Sequence, residues 1–96
     1  MLNPFGTIQG GFIGVFVDEL FSTAIGSMLE DGEWATTAEM KLSYLRALVP
    51  GAIHGRARVV RRTRTLAFLE AEVIGANGEP ATLASSTWAI QRRQDG

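Results

Sequence analysis

The chain has 96 residues, 46% of them hydrophobic and 20% charged, with no cysteine, one histidine and a formal net charge of −1. This composition predicts a single globular domain, residues 1–96, with one modest core. It excludes disulfides, thiolate metal sites and a cysteine nucleophile, and the single His54 excludes a histidine-cluster metal site within one chain.

Charge is distributed unevenly along the chain. Residues 1–45 carry six acids against Lys41, whereas residues 46–96 carry eight arginines against four acids. A local arginine cluster in a net acidic chain argues against a nucleic-acid partner and suits a small phosphorylated ligand. Residues 1–17 lack a basic leader region, and the apolar stretch 12–17 is too short to span a bilayer. These features predict a cytoplasmic protein with no membrane partner.

The first predicted element is a helix from Gln9 to about Leu29. Its apolar residues cover nearly every direction of a helical wheel, which predicts a helix enclosed by the rest of the fold. The run 12–17 is also compatible with a buried strand, but the length and the lack of turn residues favour a helix. The acidic stretch around Gly32 is expected to end it.

The rest of the chain alternates between apolar and polar residues and predicts strands. Their predicted bounds are Thr36–Arg46, Ile53 to about Arg62, Thr65–Ile74 and Ala81–Gln91. Pro50-Gly51 and the tight-turn pair Asn77-Gly78 separate strands. These elements predict an α+β fold in which a curved antiparallel sheet encloses the helix.

Charges support one of the strand pairings. If the second and third strands form a hairpin around Thr63, Arg56 and Arg58 lie opposite or diagonal to Glu72 and Glu70. Such cross-strand pairs of opposite charge stabilise a sheet.

Asp18 lies near the middle of the apolar helix. A carboxylate there is either desolvated or held by hydrogen-bond donors. The alternative is that Asp18 lies on a narrow exposed stripe with Glu19 beside it. Adjacent helical residues lie about 100° apart, so at most one of the pair points into a given site.

Two further groups have both a functional and a structural interpretation. Gly10 and Gly11 at the helix start expose backbone N–H groups that suit an oxyanion, but they also suit an ordinary tight turn. Arg61, Arg62 and Arg64 form a turn that is either solvated or binds phosphates. The sequence has no G-x-S-x-G, GxGxxG or P-loop motif, so a serine hydrolase or nucleotide-dependent enzyme has no support.

Taken together, these residues resemble a known signature. The hotdog-fold acyl-CoA thioesterases, most closely the PaaI-like (phenylacetic acid degradation) group related to the 4-hydroxybenzoyl-CoA thioesterases, share the pattern in N-P-F-G-T-I-Q-G-G-F-I-G-V-F-V-D-E-L. The matching positions are Asn3, Gly6, Gln9, Gly10, Gly11 and Asp18. The stretches T-A-E-M-K-L-S-Y-L-R-A-L-V-P-G and V-V-R-R-T-R-T-L-A-F-L-E-A resemble the family's strands. The resemblance implies a long central helix wrapped by a curved antiparallel sheet.

The resemblance also implies an activity, the hydrolysis of an acyl-CoA thioester to a free acid and CoA. Asp18 would be the base or nucleophile, and the Gly10 N–H would polarise the thioester carbonyl. Gln9 and Asn3 would orient the acyl group or water, and Thr37 would hold the attacking water. No cofactor is implied, since coenzyme A is part of the substrate.

The family's sites lie across a subunit interface, which implies a homodimer or homotetramer. Asp18 and Thr37 of one subunit would then face Asn3, Gln9 and Gly10 of the other. Arg61, Arg62 and Arg64 are the candidates for binding the phosphates of coenzyme A.

The sequence departs from the family pattern at three points. Gln9 stands where many members have His, and Gln cannot carry a proton. The given sequence begins at the signature, before which typical members have a helix and a strand, so we expect either a minimal member or a natural start that is not Met1. Simple alternation also turns Thr37 away from the helix, so its role requires a β-bulge, and Thr36 is the alternative.

Two rival functions remain open at this level. One is a non-catalytic acyl-CoA-binding protein, and the other is a structural homo-oligomer that keeps only the fold. The acyl group is equally open, because Phe12, Phe16 and Tyr44 could line an aromatic pocket, a fatty-acyl pocket or simply the core.

Overall fold

A computed structural model describes residues 10–93. They form one helix and four strands, with the bounds α1 (Gly10–Gly26), β1 (Glu33–Tyr44), β2 (His54–Arg62), β3 (Leu66–Ile74) and β4 (Pro80–Arg92). The strands make one antiparallel sheet in the order β1-β4-β3-β2, and α1 packs against it. This confirms the predicted α+β arrangement. No helix within residues 10–93 is long and apolar enough to span a membrane.

The predicted turns and the predicted pairing of β2 with β3 are confirmed. The hairpin closes where the Thr63 N–H donates to the Leu66 carbonyl, at 2.8 Å. Arg56 lies directly opposite Glu72, and Arg58 directly opposite Glu70, with an ion pair in each case. Gly78 adopts a φ of +81° in the turn before β4, a backbone conformation that favours glycine.

Small residues in the middle of the sheet make room for the helix. One row across the four strands consists of Leu42, Ala84, Ala71 and Ala57, so three of its four side chains are single methyl groups. The core of buried apolar residues comprises Ile13, Val17, Phe21, Ile25, Leu48, Ala67, Leu69, Ala71, Val73, Ala81, Ala84, Trp88 and Ile90. The four helical members recur every four residues and form a single stripe.

The predicted end of the helix is wrong. The helix ends at Gly26 rather than near Leu29, because Ser27 and Met28 form a turn from which Met28 and Leu29 still pack on the core. Within residues 10–93, part of the helix surface is exposed. Phe12 is 38% exposed and Val15 is 63% exposed. The helix therefore has apolar side chains in nearly every direction, but only one stripe of them is buried.

Candidate active site

Asp18 lies in the middle of α1, on the side of the helix that faces β1. Asp18 is partly buried, whereas the adjacent Glu19 is exposed. The Thr37 hydroxyl donates to Asp18 Oδ1 at 3.4 Å, a long hydrogen bond that joins the helix to the first strand. The structure therefore brings together two of the predicted site residues, 19 positions apart in sequence.

A β-bulge in β1 turns Thr37 toward the helix. Thr37 pairs with Trp88 and Glu39 pairs with Thr87, so Ala38 is an extra residue between two consecutive pairs. Thr37 consequently shares the inner face with Met40, the arrangement that its predicted role requires. Thr36, the alternative, pairs with Ala89 and lies on the opposite face.

A buried serine stabilises the bulge. The Ser86 hydroxyl donates to the Glu39 carbonyl at 2.6 Å, from a side chain that is almost fully buried. Nothing in the sequence singles out Ser86, because a serine in a strand usually faces solvent. Its position on the inner face, next to the bulge, follows from the register of β1 with β4.

The start of α1 presents backbone groups. Gly10 and Gly11 are exposed, and the first N–H groups of a helix have no partner within the helix. The Tyr44 hydroxyl donates to the Gly10 carbonyl at 3.0 Å and so ties the first helical residue to the end of β1. The predicted site residues Asn3, Gly6 and Gln9 lie outside the described residues.

The three aromatic residues considered for an acyl pocket lie on two sides of the helix. Phe12 and Phe16 line a cavity of about 180 Å³ together with Ile13, Leu48 and Ile53. Tyr44 instead contacts the helix from β1. A single pocket formed by Phe12, Phe16 and Tyr44 of one chain is therefore not present in residues 10–93.

Arg62 is engaged in an ion-pair network. Its guanidinium donates to Glu33 Oε2 at 2.5 Å and to the Met28 carbonyl at 3.2 Å, and Arg92 contacts the same Glu33 oxygen at 2.6 Å. The Glu33 side chain is only 2% exposed. The hydrogen bond from Arg62, with further help from the Glu30 backbone N–H, lowers the pKa of the Glu33 carboxyl to about 2.

Arg61 and Arg64 remain exposed on either side of Arg62. Among the described residues, no carboxylate forms an ion pair with either of them. The predicted phosphate-binding trio thus contains two arginines that are available to a ligand and one that is occupied within the fold.

Sequence comparison identifies the family of the chain. A family model described as the thioesterase superfamily matches residues 5–82. The chain belongs to the thioesterase superfamily. This confirms the family predicted from the residues between Asn3 and Asp18. No match was found among the curated proteins.

Solved structures agree with membership of the thioesterase superfamily. A phenylacetic acid degradation-related protein of Ralstonia eutropha has a TM-score of 0.85 and 34% identity, with 92% of this chain and 66% of that chain covered. A Haemophilus influenzae thioesterase has a TM-score of 0.89 and 19% identity, with 95% and 64% covered. A Bacillus halodurans protein, crystallised with CoA, has a TM-score of 0.85 and 21% identity, with 93% and 63% covered.

These comparisons show the fold of the chain and the share of each relative's length that it spans. The likeness confirms the hotdog fold predicted from the sequence. The chain spans 63–66% of the length of these three relatives.

Proposed function

We propose that this member of the thioesterase superfamily hydrolyses acyl-CoA thioesters, with Asp18 as the base or nucleophile. The observation that carries the proposal is the contact between Asp18 and the bulge-positioned Thr37. A carboxylate and a hydroxyl that contact each other across the helix–sheet boundary are suited to binding one water molecule beside them, with a hydrogen bond from each.

The proposed reaction breaks the carbon–sulfur bond of the thioester. With Asp18 as base, a water held by Thr37 gives a proton to the carboxylate and adds its oxygen to the carbonyl carbon. With Asp18 as nucleophile, the carboxylate adds to that carbon first and water hydrolyses the resulting anhydride. In both routes the CoA thiolate leaves and takes up a proton, and the products are a free acid and CoA.

Negative charge develops on the thioester oxygen when the carbonyl carbon is attacked, and it requires a hydrogen-bond donor. In the proposed arrangement this donor is the Gly10 N–H of a second subunit, at the positive end of its helix dipole. Gln9 and Asn3 of that second subunit would orient the acyl group or the water. The exposure of Gly10 and Gly11 at the helix start supports this assignment.

For the phosphates of coenzyme A we propose Arg61 and Arg64. They flank Arg62, which stands in the same inner-face row as Thr37 through Trp88 and Ala67, while Arg61 lies on the outer face opposite Phe68 and Arg64 lies in the turn after β2. Three strand spacings separate the ends of that row, roughly 14 Å. The long pantetheine arm of coenzyme A reaches over such a distance. Arg62 is left out because Glu33 already occupies its guanidinium.

The test is thiol release from a panel of aromatic and fatty acyl-CoAs. We expect steady turnover by the wild type and at least a roughly 100-fold loss of kcat in Asp18→Asn, the usual range for removing a general base. Glu19→Gln is the matched control, because it neutralises the adjacent but exposed carboxylate. It should keep wild-type turnover.

Other outcomes contradict the proposal in distinct ways. Tight acyl-CoA binding without thiol release identifies a non-catalytic binding protein. If the protein neither binds acyl-CoA nor releases thiol, the structural homo-oligomer is the function that remains. Full activity in Asp18→Asn excludes Asp18 as base or nucleophile, whatever the reaction.

A further inference from the structure

Tyr44 makes a contact that connects the end of β1 to the first turn of α1. Its hydroxyl donates to the Gly10 carbonyl oxygen at 3.0 Å, across 34 positions of sequence. Its ring also lies against Gly10. A Cβ atom at Gly10 would lie 3.3 Å from the hydroxyl oxygen and 3.4 Å from the ring carbon that bears it. Glycine at this position therefore allows the tyrosine to approach the helix backbone closely.

The Tyr44 contact is one end of a stripe along which α1 meets β1. Gly10, Gly14 and Asp18 follow one another at four-residue intervals and so lie on one side of the helix. Gly14 faces the Leu42 side chain, whose methyl carbon is 3.5 Å from the place of a Cβ. Asp18 contacts Thr37. Hydrogen bonds at both ends of this stripe thus fix how the helix lies along the strand.

The hydrogen bond from Tyr44 also acts on a particular N–H group. The Gly10 carbonyl belongs to the same peptide unit as the Gly11 N–H. A donor on the carbonyl polarises that unit and makes its N–H a stronger donor. In the first turn this N–H has no acceptor within the helix. Tyr44 therefore orients the first turn, which includes the Gly10 N–H proposed as the oxyanion donor, and strengthens the neighbouring Gly11 N–H.

We propose that Tyr44 is a positioning residue that fixes the first turn of α1, so that the Gly10 N–H, with the Gly11 N–H beside it, is in place to receive the oxyanion of the reaction. This inference rests on the proposed thioester hydrolysis. Tyr44 acts through the backbone of Gly10 and Gly11 and does not itself touch the reacting atoms.

The kinetic test is Tyr44→Phe, which removes one oxygen atom and keeps the ring against Gly10. We expect kcat to fall about tenfold, because the oxyanion donors are then held less firmly in place, with KM changed less than about twofold. The pH profile should keep its shape, because Asp18 is unchanged. Trp34→Phe is the matched control, since Trp34 is an exposed aromatic residue of the same strand. It should leave both constants unaltered.

A second measurement does not depend on turnover. Tyr44 is the only tyrosine of the chain, so its substitution removes one identifiable hydroxyl. In Tyr44→Phe the amide proton and nitrogen shifts of Gly11 should move, because its peptide loses the donor on the carbonyl. In Trp34→Phe they should stay at their wild-type values.

The kinetic result and the Gly11 chemical shift together decide whether Tyr44 is a positioning residue. A moved Gly11 shift with a lower kcat and an unchanged KM supports the positioning role. An unmoved shift means that the hydrogen bond is absent, and a moved shift with unchanged kcat means that it is only structural. Either result overturns the proposal. A wild type without turnover overturns the proposed function and this role with it, while the Gly11 shift still reports on the hydrogen bond.

Discussion

Glu33 is the residue whose ionisation matters most to the fold. Its buried carboxylate receives hydrogen bonds from Arg62 and from the Glu30 backbone, and Arg92 forms an ion pair with it. Arg62 also reaches the Met28 carbonyl, in the turn that follows α1. One carboxylate therefore links the chain after the helix to β1, β2 and β4.

The stability of the protein should depend on pH through Glu33. Folding lowers the pKa of its carboxyl from 4.5 to about 2, so folding favours the ionised form. The stabilisation is complete above about pH 4.5 and is lost as the pH falls toward 2. We expect Glu33→Gln to melt below the wild type at pH 7, with the gap narrowing as the pH falls from 5 to 3. Thermal melts monitored by circular dichroism measure this gap.

Asp31→Asn is the control for Glu33→Gln, because Asp31 is an exposed acid in the same connection. Its melting temperature should follow that of the wild type at every pH. A gap between Glu33→Gln and the wild type that stays constant from pH 7 to pH 3 would contradict the assigned role of the Glu33 charge.

At the scale of single residues, the sequence identified the candidate site residues better than the residues that hold them in place. Asp18 and Thr37 could be named because a known signature and a required bulge pointed to them. Glu33, Tyr44 and Ser86 could not be assigned their contacts. Each depends on a partner at least 29 positions away, which only the register of the strands brings close.

At the scale of secondary-structure elements, α1 packs closely on β2 at a glycine. Among the described glycines, Gly55 has the least room for a Cβ atom. Gly55 lies on the inner face, beneath Phe16 and Leu20 of the helix. A Cβ at this position would lie 2.9 Å from two carbon atoms of the Phe16 ring and closer still to Leu20. Glycine at this point leaves room for the Phe16 and Leu20 side chains of the helix to pack directly on the strand backbone.

Gly55→Ala should therefore destabilise the fold by about 1–3 kcal/mol, the usual cost of adding a carbon to a packed interface. Urea unfolding measures the loss. Gly26→Ala is the matched control, because nothing lies within 4 Å of a Cβ there and its φ is not positive. That change should be neutral or stabilise by up to about 1 kcal/mol. Equal midpoints for the two variants would contradict the close packing of α1 on Gly55.

The strands were easier to predict than the helix. Alternation of apolar and polar residues located all four, and two charge pairs indicated how β2 and β3 align. Apolar residues around α1 were a poorer guide, because Met28 and Leu29 reach the core from a turn and Val15 is exposed. An apolar side chain favours burial, but the pattern of apolar residues in one element does not show which other elements cover it.

For the molecule as a whole, the proposed site is incomplete within one chain. Asp18 and Thr37 meet in one protomer, whereas the proposed oxyanion donor and Gln9 come from a second. The exposed Phe12 and Val15 also leave apolar surface on α1 that the described part of the chain does not cover. A site of this kind, with halves on two identical chains, is the expected product of a twofold axis.

Two inactive variants should therefore complement each other. A 1:1 mixture of Asp18→Asn and Gln9→Ala subunits, unfolded and refolded together, should recover about a quarter of the wild-type activity, because half of the dimers are mixed and each mixed dimer has one intact site. The two variants refolded separately and then assayed serve as the control. Recovery no greater than the sum of the separate activities would place the whole site within one chain.

The bulge at Ala38 divides β1 into two blocks that differ in whether odd-numbered or even-numbered residues face the helix. Before it, the odd-numbered residues Glu33, Ala35 and Thr37 face the helix side, and after it the even-numbered Met40, Leu42 and Tyr44 do so. Deleting Ala38 would join the two blocks as a regular strand and keep both facing inward. Deleting a residue from the interior of either block would turn part of that block outward. Ala38 is thus the place in β1 where the loss of one codon would leave both the buried ion pair and the proposed site in register.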